Sequence, residues 1–192
     1  MDSEDMNVET NLIVYKNLNK KGNDQYEYIL PKINISKKIN NFTKLNGDFS
    51  FNSKNFIHKR ETNIFERVNN NSLVFNSKPK VSKNGFYNNY EFILKNSNIN
   101  SQNSVSHKEG DEFYVSGLFQ YNSSFPLIKR NENNVNLFRP KISIKLSPGH
   151  TKDLSKNEYK LDVNNIFDLD RISSNETLES GMSLAYGSDY IL

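Results

Sequence analysis

Arg139, Lys141 and Lys145 stand in one phase of a short stretch with Ser143, while Phe138, Pro140, Ile142, Ile144 and Leu146 take the alternate positions. In an extended chain this period of two makes one face greasy and the other cationic. Cations in a row make and break no bonds by themselves. They offer electrostatic contact to an anion, so these three are the candidate ligand contacts. Bond-making chemistry finds less to use. His58, His107 and His150 lie far apart with no second ligand at metal spacing, and they read as surface or turn histidines. Glu109-Gly110-Asp111-Glu112 lacks the alternating ligands of an EF-hand loop and reads as solvated. No serine sits in a Gly-x-Ser-x-Gly elbow and no Gly-rich phosphate loop occurs. No catalytic residue, cofactor or metal is expected, and the chain is not expected to be an enzyme.

Composition sets what can position those cations. The mean hydropathy is −0.75 and 35% of residues are hydrophobic, which makes for a thin conventional core. Yet Phe 13 and Tyr 10 bring aromatics to 12%, unlike a disordered chain. Asn, Lys and Ser dominate the rest and suit turns and solvated strands better than helix interiors. No apolar run approaches the ~18 residues of a spanning helix, but a barrel strand needs only ~10 residues of alternating polarity. A net charge of +3 and a pI near 8.9 come from scattered Lys and Arg, so a nucleic-acid partner is not expected. The absence of cysteine is compatible with either redox compartment. Residues 1–5 resemble neither the basic nor the apolar part of a secretory signal, so either the protein is not exported or its beginning lies elsewhere.

Alternation recurs from end to end. Besides 138–146, it runs through Phe113, Val115, Gly117, Phe119 and Tyr121, and through Met182, Leu184, Tyr186 and Tyr190. Weaker strands are expected at 12–15, 26–35, 45–51, 56–68, 73–77 and 86–94, for nine or ten in all. At 26–35 the phase changes about Pro31, which calls for a bulge. Reversals are expected at 21–24, 53–55, 69–71, 83–85 and 131–134, with longer polar connections at 96–111 and 147–156. Short and long connections should alternate at the two ends of an all-β, antiparallel up-and-down meander.

Several segments resemble the barrel of the LptD family of lipopolysaccharide-assembly proteins, the organic solvent tolerance family. Asp24-Gln25-Tyr26-Glu27-Tyr28-Ile29-Leu30-Pro31 is similar to a family strand ending Tyr-Glu-Tyr-x-x-Pro. Leu73-Val74-Phe75-Asn76-Ser77, Asn84-Gly85 and Pro126-Leu127 follow in family order. The most specific match is Asn165-Ile166-Phe167-Asp168-Leu169-Asp170-Arg171 followed by Glu176, Leu178 and Glu179-Ser180-Gly181, which resembles the family's Asn-x-Phe-x-x-x-Arg to Glu-x-Gly segment. The resemblance implies that residues 1–192 are part of a single large transmembrane β-barrel domain in the bacterial outer membrane. It implies that the signal peptide, the periplasmic N-terminal domain and further strands, including those that close the barrel, lie outside this sequence. Lipopolysaccharide, outer-membrane lipid, a plug lipoprotein and periplasmic bridge proteins would be the partners. Arg139, Lys141 and Lys145 would face the lumen and meet saccharide phosphates.

Two functions of different class are therefore expected to compete: an export-channel wall, and a secreted or surface β-rich binding module. A porin or receptor barrel with another cargo is a third. A sandwich turns its apolar faces into a dry core, whereas a barrel turns them to lipid and keeps charge inside.

Overall fold

The computed structural model describes residues 6–22, 25–42, 45–60, 63–130, 134–149 and 160–191. Among the described residues ten strands follow one another: β1 (Met6–Lys16), β2 (Tyr26–Phe42), β3 (Gly47–Arg60), β4 (Phe65–Ser77), β5 (Lys80–Val81), β6 (Tyr87–Gln102), β7 (Gly110–Ser124), β8 (Leu127–Arg130), β9 (Val135–Ser147) and β10 (Gly181–Ile191). They make one antiparallel sheet in which the long strands keep chain order, β1-β2-β3-β4-β6-β7-β9-β10. The short β5 pairs with β6 and β8 with β9. Among the described residues the sheet is open, with β1 and β10 at its two edges.

The expected strand over 138–146 is β9, and Phe138, Ile142, Ile144 and Leu146 lie exposed on the face opposite Ser143 and Lys145, which are buried. The phase change in β2 is absorbed as foreseen. The β2–β3 register slips between Ile29/Lys32, so Tyr26 and Tyr28 share a face with Ile33 and Ile35. The Leu30-Pro31 peptide at this point is cis.

Asparagine misleads in the middle of the sheet. Residues 53–55 and 69–71 are not reversals but the centres of β3 and β4, where Ser53↔Asn71 and Asn55↔Asn69 face each other. The polar stretch from Asn96 likewise continues β6 to Gln102. The side-chain amides satisfy one another along and across the strands: Asn71 Nδ2 donates to Asn69 Oδ1 of its own strand at 2.6 Å and to Asn96 Oδ1 of β6 at 3.3 Å. Asn98 Nδ2 donates to Asn96 Oδ1 of its own strand at 2.8 Å and to Asn69 Oδ1 of β4 at 3.4 Å. Asn69 and Asn55 also bond. Cross-strand pairing of this kind outweighs the local preference of Asn for turns. β3 instead runs on to Arg60 and β4 starts at Phe65, with Asn63 between them at φ 61°, and Asn46 at φ 49° leads into β3. Gly47 follows because a Cβ there would run into the Phe75 ring.

Connections do not alternate short and long. At the end shared by 61–64 and 103–109, only the last connection, 148–180, is extensive. Its described part, residues 160–180, turns back over one face of the sheet, and this segment builds the site.

Candidate functional site

Period two divides the sheet into two unlike faces. One carries Phe51, Leu73, Leu94, Phe119, Ile144 and Leu184 in cross-strand neighbourhood, and it is the exposed face: Leu184 is 60% and Tyr186 82% accessible. The other carries Asn70, Lys95, Ser97, Gln120, Ser143 and Lys145, all buried, with Gln120 at 0% and Lys145 at 2%. Soluble proteins mostly bury apolar side chains and expose Lys; here Lys95 and Lys145 are buried and many large apolar residues are exposed, although Val68, Phe75, Ile93, Ile99 and Leu118 are buried too.

What buries the polar face is the segment 160–180. A small apolar island, Val74, Ile93 and Leu118 on β4, β6 and β7, receives Leu169 and Leu178. Around it the contacts are polar. Gln120 Nε2 donates to the Phe167 carbonyl at 2.8 Å. The Lys95 ammonium reaches the Asp170 carboxylate and the carbonyls of Ser174 and Thr177, and the Lys145 ammonium reaches the Asp168 carbonyl, with Glu179 at 3.8 Å. Arg171 grips Glu179, its Nε lying 2.8 Å from each carboxylate oxygen, and Nη2 donates to Ser183 Oγ on β10 at 2.8 Å. Two buried ammonium groups are thus met by carboxylates and carbonyls, the condition under which charge is tolerated away from water. Gly187 has no side chain where Phe167 lands, and Lys141 Nζ lies 4.3 Å from the centre of the same ring.

The three candidate contacts do share the polar face, but they do not form one free cationic track. Arg139 Nη2 and Lys141 Nζ both bind Asp189 of β10, at 2.6 and 2.7 Å, and border a cleft of about 470 Å³ that also touches Glu91, Asn122 and Phe167. Lys145 lies apart from that cleft, sealed under the segment. Lys95, Asp170, Arg171, Glu179 and Asp189 were not singled out as site residues. For Asp189 the register gives the signal, since it stands directly across from Arg139. No sequence spacing announces Lys95 and Asp170, which meet only because the segment folds back.

The histidines also need correction. His58 and His107, remote in sequence, converge on Glu66 of β4: His58 Nδ1 is 3.0 Å from Oε2 and His107 Nδ1 is 3.4 Å from Oε1. The first is the register partner of Glu66 on β3, and the second arrives on the β6–β7 connection. Both are largely buried members of a polar cluster and not surface residues; His58 lies within β3, while His107 does sit on a turn, the β6–β7 connection. Even so, no group of three or more His, Cys, Asp or Glu suited to a metal occurs among the described residues. His150 lies outside them. No described helix is long and apolar enough to cross a membrane, which does not bear on strands.

Comparison with known protein families found no family model that matches this chain, and comparison with curated proteins found no match either.

Proposed function

We propose that this chain is part of the wall of a bacterial outer-membrane β-barrel, of the kind that delivers lipopolysaccharide to the outer leaflet. One observation carries the reading: the face bearing Phe119, Ile144, Leu184 and Tyr186 is exposed while the face bearing Lys95, Gln120 and Lys145 is buried. Lipid is the solvent that makes sense of an apolar exterior, and a watery or plugged lumen makes sense of a polar interior. An exposed apolar band of this extent is a liability in water. A sandwich would hide it under a second sheet, but the ten described strands form a single one. The cargo rests on the resemblance of Asn165 through Gly181 to the lipopolysaccharide-assembly family. That motif coincides with the segment folded on the polar face, where Phe167, Asp170, Arg171 and Glu179 make its anchoring contacts. Arg139 and Lys141, beside the open cleft, are the lumen contacts for saccharide phosphate; Lys145 is an anchor.

Residues 1–192 contain no cysteine, so a cysteine introduced among them is unique within this part of the protein. A fluorophore at Phe119→Cys or Leu184→Cys in the membrane-inserted full-length protein should be quenched by brominated acyl chains, and one at Asn76→Cys on the other face should not. Equal quenching on both faces, or none on either, would remove the barrel reading. Depletion of the protein with unchanged surface lipopolysaccharide would remove the cargo alone.

A further inference from the structure

Where β1 to β4 lie side by side, the exposed face carries charge of one sign. Lys59 is in phase with Phe51 on β3, and Arg67 is in phase with Leu73 on β4. Register sets Lys37 of β2 opposite Phe51, and Lys16 of β1 opposite Tyr26, which is in phase with Tyr28, the partner of Lys59. The carboxylates of these strands stand on the other face: Glu9 pairs with Asn34, Glu27 with Arg60, Asp48 with Asn76 and Glu66 with His58. Among the described residues, the exposed face of these strands therefore has Lys16, Lys37, Lys59 and Arg67 and no carboxylate.

The same strands hold an apolar cleft. Pairing runs Ile29↔His58 and then Lys32↔Phe56, so Leu30 and Pro31 of β2 together oppose Ile57 of β3. Two residues against one make a bulge, which bends β2 out of the regular ladder. The cleft at this point measures about 560 Å³ and is lined by Tyr28, Leu30, Ile57, Lys59 and Arg60. Tyr28, Leu30 and Ile57 give it apolar walls, while the Arg60 guanidinium is taken up by Glu27, with Nη2 3.1 Å from Oε2. Lys59 is exposed at the Tyr28 end. Arg67 is the register partner of Ile57, which makes Lys59 and Arg67 diagonal neighbours whose long side chains can reach one small anion. Beyond them Tyr26 stacks on Tyr28 with ring centroids 6.3 Å apart, and Lys16 Nζ lies 5.5 Å from the centre of the Tyr26 ring.

We propose that this cleft holds a membrane lipid with an anionic phosphate headgroup, its acyl chain against Leu30 and Ile57 and its phosphate between Lys59 and Arg67. The inference rests on the lipid-facing reading of the exposed face and adds a lipid preference to it. Tyrosines beside lysines suit the boundary between hydrocarbon and headgroups, because each side chain puts an apolar body in lipid and a polar tip in water. A zwitterionic headgroup would bring its own cation up to Lys59 and Arg67, with no carboxylate on this face to receive it. A phosphate without a cation of its own is complementary to the pair.

Residues 1–192 contain no tryptophan, so Tyr28→Trp places a reporter at the cleft and keeps an aromatic ring there. The full-length protein is inserted into phosphatidylcholine bilayers that contain either acyl-brominated phosphatidylglycerol or acyl-brominated phosphatidylcholine, and quenching is taken as the difference from the parent protein. The anionic lipid should occupy the site about fivefold more tightly, the change expected of one cation beside a membrane phosphate. Leu184→Trp, opposite Ile144 at the far side of the sheet, should be quenched equally by both lipids. Adding Lys59→Gln and Arg67→Gln to Tyr28→Trp should bring the two lipids to equal affinity with quenching retained. Equal quenching by both lipids at Tyr28→Trp, with Leu184→Trp also quenched, would overturn this inference and leave the lipid-facing reading standing. A preference that survives the two glutamines would overturn it as well. Absence of quenching at both positions would remove the inference together with the reading it rests on.

Discussion

The ammonium of Lys95, only 5% accessible on β6, closes on the carboxylate of Asp170, 75 residues further along the chain. This contact joins the sheet to the segment that covers it, and Lys95 loses its water in making it while the Asp170 side chain stays 23% accessible. Removing one partner of a fully buried pair strands the other at a cost of roughly 3 to 5 kcal/mol, and the partial exposure of Asp170 makes that the upper bound here. Lys95→Ala should therefore lower the stability of the folded protein by at most that amount, and Lys95→Met paired with Asp170→Leu should recover much of it by replacing charge with packing. Urea unfolding of the three proteins in one detergent tests this. Additive losses in the double variant would show that the two residues do not act as a pair.

Gly187 is one point where the segment touches β10, Ser183 being another. A Cβ there would lie 3.3 Å from the Phe167 ring, tighter than ordinary contact, so a larger side chain must displace the ring. Gly187→Leu should expel Phe167, break its stacking with Lys141 and weaken the Gln120 bond to the Phe167 carbonyl. Faster tryptic cleavage after Arg171, with the β-sheet signal retained, is the expected result. Unchanged cleavage would mean that the segment is held without Phe167.

Ile142 and Lys141 are neighbours on opposite faces of β9, so substituting each separates the roles of the faces. If Ile142 meets lipid near the midplane, Ile142→Lys adds roughly 2 to 4 kcal/mol to the cost of insertion. The expected outcome is poor assembly of the full-length protein, whereas Lys141→Gln should assemble normally. Folded, heat-modifiable protein on a gel measures both. Normal assembly of Ile142→Lys would place that face away from lipid.

Strand identity was legible where large apolar residues alternate with polar ones, as in β9 and β10, because period two is a local property of the chain. It was misread at Asn69, Asn70 and Asn71, since amide ladders between β3, β4 and β6 form only after the strands have paired, and a lone asparagine looks the same in a turn. The candidate site was half legible. Arg139, Lys141 and Lys145 share a face for local reasons, yet their partners differ for non-local ones. Asp189 reaches two of them by strand register, and Asp168 reaches the third because a loop folds back over the sheet. The approach of His58 and His107 to one carboxylate has the same origin.

That division of the three cations decides how the proposed transport path is tested. Lys145 is sealed beneath the segment and held by the Asp168 carbonyl, so reversing its charge would place a carboxylate beside Glu179 and disturb the fold itself. It is a poor probe of cargo. Arg139 and Lys141 are partly accessible, share one carboxylate, and border an open cleft. Two cations on one anion leave a formal excess of +1 there, enough to attract a saccharide phosphate while remaining a weak, reversible contact. Exposed pairs of this kind contribute roughly 0 to 1 kcal/mol to stability. Arg139→Gln combined with Lys141→Gln should therefore leave assembly of the complete protein intact and slow delivery of lipopolysaccharide to the surface. Lys145→Glu should reduce the amount of folded protein instead. Surface lipopolysaccharide normalised to folded barrel distinguishes the two, and a normal ratio in the double glutamine variant would take Arg139 and Lys141 off the transport path.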